Sequence, residues 1–408
     1  MQTVVAVLTA VALAACGEER HAGAAAVDAA PAPVALDAAV APAVVDAAPP
    51  QATAAHDFVD EARALAALAL CDGDSTFELP AGVRRTHCAR IAAISDRYRR
   101  TRLEPLREFL AGVVPHDLPS TVVYPFAGGD LSTALTVFPT ARELTTLALE
   151  PAGDPRTAAS LTPAERARAL EVISIELDRL YVAGFSDTFR LYNAMRGGEL
   201  PTQLVFSLAA LSSHGCTLVH VHYFDLDANG QVAYLTDADV ARLPPPSPAD
   251  IDERNRIFGD VELGFRCGDD PTVRIYRHLQ ANLDDDHLGG DDPRVLRYLE
   301  ARGQVAAMTK AASYLLGWPS FSRMRRYLDD HVVWMISDAS GLPPRFAQPA
   351  GFVQEVWGEF DGPHIDAGDG SALDWRHLFR SQPFRPLHVP FGYRDRNGHD
   401  HLVVTHKP

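Results

Sequence analysis

The sequence has little positive charge and no recognisable nucleophile motif, and both absences exclude classes of function. Its 408 residues include 37 Lys and Arg against 53 Asp and Glu, which gives a net charge of −16. A nucleic-acid backbone or an anionic membrane surface needs a cationic face, so neither is expected as the main partner. The sequence contains no G-x-S-x-G, S-x-x-K or H-E-x-x-H, so serine hydrolase, penicillin-binding and zincin functions have no support.

Long apolar runs are also absent beyond the first 15 residues, so the body of the protein is predicted to be soluble. Residues 1–15 carry no charge and join an apolar stretch to small residues, which is typical of a signal peptide. Leu13-Ala14-Ala15-Cys16 resembles the bacterial lipobox, which implies cleavage before Cys16 and acylation of its sulfur. The alternative is an ordinary secretory signal with a chance cysteine. Gly17, where inner-membrane retention signals carry Asp, favours the outer membrane.

Residues 16–56 are predicted to be a disordered tether between this anchor and the folded body. Positions 17–56 hold 17 alanines, five prolines and no aromatic residue. Such a segment has too little large apolar surface to offset the entropy cost of ordering. Residues 57–408 contain no second linker and are predicted to form a single α/β domain.

Four cysteines remain after Cys16, an even number that suits an oxidising compartment. They allow three connectivities. The local pairs Cys71–Cys88 and Cys216–Cys267 are preferred because each joins neighbouring segments, and the alternative is that one or both pairs are buried free thiols.

Strands alternate with helices in the pattern, but some strands also form hairpins, so we predict a mixed sheet with helices on both faces. Asn229-Gly230 between two alternating segments is a strong hairpin signal, and Asn397-Gly398 predicts a second, terminal hairpin. The predicted strands are residues 121–126, 144–149, 218–224, 231–235, 260–266, 272–279, 305–311 and 332–336. The first segment of the folded part is predicted to be helical, over residues 57–71 and again over 91–106. The other predicted helices are residues 131–138, 163–184, 200–211, 293–301 and 321–330.

The segment 121–150 is the most suggestive for function, because it predicts a Rossmann-like βαβ unit. Gly128 and Gly129 follow the first strand, Asp130 is the predicted N-cap of the helix, and Glu150 ends the second strand. Nucleotide sites of this kind use glycines for close approach, a helix N-terminus for an anion and an acid for ribose hydroxyls. In outline the unit resembles the first half of an S-adenosylmethionine-dependent methyltransferase.

Three observations weaken a nucleotide site at this unit. The full G-x-G-x-x-G is missing, Asp130 would repel a phosphate, and a periplasm is not expected to supply S-adenosylmethionine. The alternatives are a structural unit whose glycines only make the turn, or a pocket for another ligand.

Lysine is scarce: Lys310 and Lys407 are the only two, beside 35 arginines. Lys310 follows a predicted strand, where its ammonium could partner Glu150 or a ligand. The alternative is a surface lysine without a role.

Metal ligation has only weak candidates, and no metal and no cofactor are assigned. Asp225, Asp227 and Asn229 match the opening of an EF-hand loop, but the twelfth position lacks Glu and a plain hairpin turn is preferred. His220-Val221-His222 places two imidazoles on one face of a strand, which can bind zinc, with partly exposed histidines as the alternative. The same two alternatives apply to His399-Asp400-His401. The acidic run 284–286 with 291–292 is predicted to be a solvated loop and a helix cap, or an adventitious calcium site.

Several short motifs together resemble a family of uncharacterised bacterial exported proteins and lipoproteins. They are residues 124–130 (YPFAGGD) with 149–153 (LEPAG), 310–315 (KAASYL), 338–343 (DASGLP) and 390–393 (PFGY). The resemblance implies a shared fold and a shared cleft at these loops, and it carries no activity.

These observations favour a lipid-anchored protein of the cell envelope that contacts the membrane through its anchor and binds an unknown envelope ligand or protein. The enzyme alternative is a Rossmann-like transferase or hydrolase using Gly128, Gly129, Asp130, Glu150 and Lys310. A purely structural envelope protein is the third possibility. Both site hypotheses require a concave pocket where the loops after strands 121–126, 144–149 and 305–311 converge.

Overall fold

A ten-stranded mixed sheet organises the chain in the computed structural model, so the predicted α/β class is confirmed. The structure describes residues 54–183, 200–246, 251–290, 293–363 and 370–408. Residues from Thr53 to Pro408 form one compact unit. The signal peptide, Cys16 and nearly all of the predicted tether lie outside the described residues, as do Gly184, Asp291 and Asp292.

The sheet has the strand order β4-β3-β5-β6-β2-β1-β7-β8-β10-β9. The strands are β1 (Thr121–Pro125), β2 (Glu143–Ala148), β3 (Cys216–Leu226), β4 (Val232–Tyr234), β5 (Asp260–Cys267), β6 (Arg274–Gln280), β7 (Val305–Thr309), β8 (Val332–Ser337), β9 (Val353–Gly358) and β10 (His401–His406). All eight predicted strands are present, with ends that differ by a few residues.

Five neighbouring strands, β6-β2-β1-β7-β8, are parallel to one another, and we call them the parallel half. Numbered in chain order among themselves, they have the order 3-2-1-4-5, which is that of a doubly wound sheet. β3, β4 and β5 continue the sheet beyond β6 with antiparallel pairing, and we call them the extension. At the other edge, β10 lies antiparallel between β8 and β9.

Helices cover both faces of the parallel half, as predicted. They are α1 (Val59–Ala69), α2 (Val83–Tyr98), α3 (Glu104–Leu110), α4 (Leu131–Val137), α5 (Thr157–Ser160), α6 (Pro163–Ala183), α7 (Thr202–Ser213), α8 (Asp237–Val240), α9 (Ile251–Ile257), α10 (Asp285–Gly289), α11 (Arg294–Glu300), α12 (Ser322–His331), α13 (Pro344–Ala347) and α14 (Ser371–Ser381). Because side chains alternate along a strand, Val122 and Tyr124 of β1 pack into one core with α4, α6 and α7. Val123 packs into a second core on the opposite face, with α11 and α12.

Local signals account for several helix ends. Thr162 and Glu165 form a capping box at the start of α6, with the Thr162 amide donating to the Glu165 carboxylate over 2.8 Å. Asp284 caps α10 by accepting from the His287 amide at 3.0 Å, so the run 284–286 begins a short helix where a solvated loop was predicted. Its neighbour Asp285 accepts from the amides of Ser322 and Arg323, so it caps α12 from a distant part of the chain. The helix cap predicted at Asp291 and Asp292 lies outside the described residues.

The prediction of a terminal hairpin at Asn397-Gly398 is wrong. The turn itself forms, with the Gly398 amide donating to the Asp395 carbonyl over 3.0 Å. However, residues 382–400 contain no strand, and β10 pairs with β8 and β9 instead. The amides of the segment that a hairpin would need as its first strand are used elsewhere: Tyr393 donates to the Asp338 carboxylate over 2.8 Å, and Arg396 donates to the Gly362 carbonyl over 2.9 Å. β9 and α14, which the sequence patterns did not predict, supply the surroundings that β10 uses.

Candidate functional site

A cavity of about 270 Å³ opens at the edge of the sheet where the strands of the parallel half end. Loops after β1, β2, β6 and β7 all contribute to its wall, so the loops named from the sequence do converge. The cavity lies beside β1, where the connections leave the sheet in opposite directions, and doubly wound sheets bind ligands at this position. The lining residues are Tyr124, Phe126, Ala127, Gly128, Asp130, Leu147, Ala148, Leu149, Glu150, Ala281, Asn282, Leu283, Lys310, Ala311, Ala312, Ser313, Leu315 and Phe321.

The loop after β1 needs both of its glycines for steric reasons. Gly128 has a φ of 52°, in the left-handed region that favours glycine. A Cβ on Gly129 would stand 2.4 Å from the Phe206 ring and 3.2 Å from the Gln203 amide oxygen. Gly129 therefore lets α7 approach the loop and lies behind the cavity wall, while Gly128 lines the cavity itself.

Asp130 and Lys310 form a buried ion pair in the cavity wall. The Lys310 Nζ lies 2.5 Å from an Asp130 carboxylate oxygen, and the two side chains are only 4% and 6% exposed. Lys310 also donates to the Thr133 hydroxyl over 2.8 Å. The sequence suggested Glu150 or a ligand as the partner of this ammonium, and the ion pair in the structure is formed with Asp130.

The same Asp130 carboxylate caps α4. It accepts from the Thr133 amide at 3.3 Å and from the Thr133 hydroxyl at 2.8 Å. The Tyr124 hydroxyl donates to its other oxygen over 3.2 Å. Burial, together with the Asp130 carboxylate, raises the pKa of the Tyr124 phenol well above its usual value, so the phenol remains a donor. A ligand anion has no place at this helix start, because Asp130 already fills it.

His278, which the sequence did not single out, supports the loop after β2 from beneath. Its Nε2 donates to the Glu150 carbonyl over 2.7 Å, so Nδ1 is the unprotonated nitrogen. Gln203 holds the two loops together, since its amide nitrogen reaches both the Gly128 carbonyl at 3.1 Å and His278 Nδ1 at 3.3 Å. Complete burial lowers the pKa of His278 to about 4, so the ring is neutral at pH 7.

Glu150, the predicted ribose acid, lies at the cavity wall but is fully shielded from solvent. Its backbone carbonyl accepts the hydrogen bond from His278 that supports the loop. The surface that solvent reaches comes instead from neighbouring residues: Leu149 is 51% exposed, Ser313 is exposed, and Phe126 and Phe321 are half-buried and in edge-to-face contact at 5.5 Å.

The loop after β7 has an unusual backbone. Ala311, Ser313 and Tyr314 all have positive φ values, of 52°, 51° and 59°. Non-glycine residues in this region cost energy, and they persist only where surrounding contacts hold them. Asp338, after β8, supplies such a contact, because one of its carboxylate oxygens accepts from the amides of Ala311 at 3.0 Å and Tyr393 at 2.8 Å. Three of the short motifs quoted above therefore meet behind the cavity.

The EF-hand-like segment forms a hairpin turn. The Asp227 carboxylate accepts from the amides of Asn229 and Gln231, both at 2.8 Å. Asp225 points to Arg294 at 3.2 Å. These carboxylates are thus engaged by the turn and by a neighbouring helix, which agrees with the preferred prediction of a plain hairpin.

The paired histidines of β3 do share one face, with ring centroids 4.4 Å apart. Glu262 of β5, which the sequence did not indicate, joins them. By contrast, His399 and His401 separate: His401 is buried against Phe360, and His399 lies near Asp361 and Asp395.

Both preferred disulfides, Cys71–Cys88 and Cys216–Cys267, are present in the structure. The first ties the segment after α1 to α2, and the second joins the outer ends of β3 and β5. Among the helices that the structure describes, none is long and apolar enough to cross a membrane.

The chain matches no protein-family model, no curated protein and no solved structure.

Proposed function

We propose that this protein binds a small molecule in the cavity at the end of the parallel half. The observation that carries the proposal is the convergence of four strand-end loops on one cavity of about 270 Å³, with a buried Asp130–Lys310 pair in its wall. Apolar pockets with a few convergent polar groups at this position of an α/β sheet are typical ligand sites. The alternative of a purely structural protein predicts no ligand binding in this cavity, so the titration described below separates the two.

The wall chemistry favours an uncharged or cationic ligand without phosphate. Lys310, the cationic side chain of the cavity wall, is already paired with Asp130 at 2.5 Å, so an anionic ligand would have to compete with Asp130 for this ammonium. Asp130 occupies the start of α4, where a phosphate would otherwise bind. The accessible surface around Phe126, Leu149 and Phe321 is apolar and suits a flat ring, such as that of a nucleoside.

Titration of the full chain in detergent tests this proposal. We expect adenosine or S-adenosylmethionine to raise the melting temperature, while ATP leaves it unchanged. A ligand present at 100-fold its Kd stabilises the fold by about 2.7 kcal/mol, which a thermal-shift assay detects.

A pair of exposed leucines supplies the matched variants. Leu149→Arg places a charge at the rim of the cavity and should weaken binding about tenfold, an effect of about 1.4 kcal/mol. Leu373→Arg changes a leucine that is 65% exposed and does not line the cavity, and it should bind as the unmodified chain does. Equal affinities for the two variants, or no response to any uncharged or cationic ring compound, would contradict the proposal.

A Rossmann-like transferase or hydrolase is the second candidate. It is favoured by the 3-2-1-4-5 strand order, and by the strained backbone at Ala311, Ser313 and Tyr314, since strain of this kind clusters at active sites. Release of S-adenosylhomocysteine from S-adenosylmethionine in the presence of envelope extract would support it. Binding without turnover would leave the protein as a binding protein.

We also propose that Cys16 carries a lipid anchor to the outer membrane. The support is the Leu13-Ala14-Ala15-Cys16 sequence and the alanine- and proline-rich segment after it. Two or more acyl chains anchor a protein durably, at about 0.8 kcal/mol for each buried methylene. Intact-mass analysis of membrane-extracted protein should show acylated Cys16, and recovery of Cys16→Ser in the same membrane fraction would contradict the proposal.

A further inference from the structure

Two histidines and a glutamate converge on one face of the extension, away from the cavity. His220 and His222 are two residues apart on β3, so both side chains leave the strand on the same side. Glu262 is the register partner of His222 on β5. None of the three lines the cavity of the proposed function, so this cluster is independent of that proposal.

The ligand atoms of the cluster are spaced as a small cation requires. His220 Nε2 lies 3.1 Å and His222 Nδ1 lies 3.9 Å from the same oxygen, Oε1 of Glu262. All three atoms lie within 4.8 Å of one another. A tetrahedral zinc site with bonds of about 2.0–2.1 Å separates its ligand atoms by roughly 3.4 Å, and the two distances to Oε1 bracket this value.

The glutamate is held by its other oxygen. Oε2 accepts from the Tyr234 hydroxyl at 2.7 Å and from Arg277 at 2.7 Å. Hydrogen bonds to the second oxygen of a metal-binding carboxylate fix its orientation. Here they leave Oε1 of Glu262 directed toward the two imidazoles. Arg277 is also paired with Glu143 at 2.5 Å, and Glu143 is paired in turn with Arg302, so the glutamate belongs to a network of fixed ion pairs.

The backbone opposite His220 is adapted to the imidazole ring. A Cβ on Gly264 would lie 2.2 Å from the His220 ring, so only glycine leaves room for the ring at this position. The β3–β5 register shifts between Leu218 and His220, which re-aims the strand at this residue. The histidine side chains are 21% and 20% exposed, so solvent reaches the cluster.

We propose that His220, His222 and Glu262 form a binding site for a divalent transition metal, with zinc as the expected ion. Imidazole and carboxylate donors suit zinc, and three protein ligands leave a fourth position for water. His220 would bind through Nε2 and keep its proton on Nδ1.

Metal binding to the full chain, stripped with a chelator, tests the site. Calorimetric titration should show one zinc ion bound per chain. Cobalt should give the intense visible absorption of a tetrahedral complex, a readout that does not depend on any activity. Absence of zinc binding at millimolar metal would overturn the proposal.

Variants locate the ion. His222→Ala should weaken zinc binding by about 100-fold or more, and Tyr234→Phe, which only loosens Glu262, by about tenfold. His399→Ala is the matched control, because His399 belongs to the other His and carboxylate cluster among the described residues. Circular dichroism should show that each variant is folded. Unchanged affinity in folded His222→Ala, or loss of binding in His399→Ala, would overturn the assignment.

Discussion

The parallel half and the extension bring polar groups together in different ways. In the parallel half, Asp130 and Lys310 are 180 residues apart in sequence and meet because parallel strands end at the same edge of the sheet. In the extension, His222 and Glu262 meet because they are register partners on adjacent antiparallel strands. Residues in loops that follow parallel strands can be expected to lie at one edge of the sheet once the strands are recognised in the sequence. Residues on the faces of neighbouring strands meet only if the strands pair in the right register, and a single sequence does not reveal that register.

The ion pair of the parallel half should show the largest effect. Lys310→Met leaves the Asp130 charge buried and unpaired, and we expect a loss of about 3–5 kcal/mol in the free energy of unfolding. Urea denaturation measures it. The only other lysine supplies the control: exposed Lys407→Met should cost less than about 1 kcal/mol. The Asp130→Asn, Lys310→Met double variant should regain part of the loss, and a single variant as stable as the unmodified chain would contradict the role of this pair.

Removal of each disulfide in turn compares how much the extension and the helical segment around α2 depend on their cross-links for stability. Loop-closure entropy predicts that Cys216→Ser with Cys267→Ser costs about 4 kcal/mol, because the closed loop spans 51 residues. The Cys71–Cys88 disulfide closes a loop of only 17 residues, so its removal in the Cys71→Ser, Cys88→Ser double variant should cost about 3 kcal/mol. Guanidinium denaturation of the two double variants gives the order. A larger loss for the helical pair would show that strain or residual structure outweighs loop length.

His278 makes the stability of the parallel half depend on pH. Its folded-state pKa, lowered to about 4, lies below the usual 6.5, so the unfolded chain takes up a proton first as the pH falls. Stability is therefore fully present above pH 6.5 and declines toward pH 4, by roughly 3 kcal/mol from this residue. His278→Gln should flatten this part of the profile of unfolding free energy against pH. Exposed His116→Gln should leave it unchanged, and equal slopes in all three proteins would contradict the effect.

Glycine substitutions in the two Asn-Gly turns should show the smallest effects on stability. The comparison distinguishes a turn that is packed against a helix from one that is open to solvent. A Cβ on Gly398 would meet nothing within 4 Å, so Gly398→Ala should cost only the left-handed backbone, about 1–2 kcal/mol. A Cβ on Gly230, in the extension, would stand 2.5 Å from the Tyr298 amide, so Gly230→Ala should cost more than Gly398→Ala. Thermal unfolding of both variants measures the difference, and equal costs would mean that α11 yields to the new methyl group.

Much of the fold was predictable because the decisive signals are local. The period of the apolar residues located the eight predicted strands, and Asp130 capped α4 as expected. The same pattern indicated three of the loops that line the cavity, those after β1, β2 and β7, but not the loop after β6. The partner of Lys310 was not predictable in this way. Asp130 and Glu150 both lie near the same edge of the sheet, and only the packed structure shows that Asp130 forms the ion pair.

The terminal segment shows the limit of local signals. Asn397-Gly398 predicts a reversal of the chain, and the reversal occurs. The strands with which β10 pairs, β8 and β9, lie 43 or more residues earlier along the chain.

The sequence by itself determined the α/β class and the positions of eight strands, because apolar periodicity and turn residues act over short stretches of chain. It favoured the two disulfides that the structure contains but left other pairings open. Only the tertiary structure decided which polar groups meet. The Asp130–Lys310 pair depends on strand order, and the His220, His222 and Glu262 cluster depends on strand register. Both are properties of contacts between distant segments, where burial makes each unpaired charge or lost hydrogen bond costly.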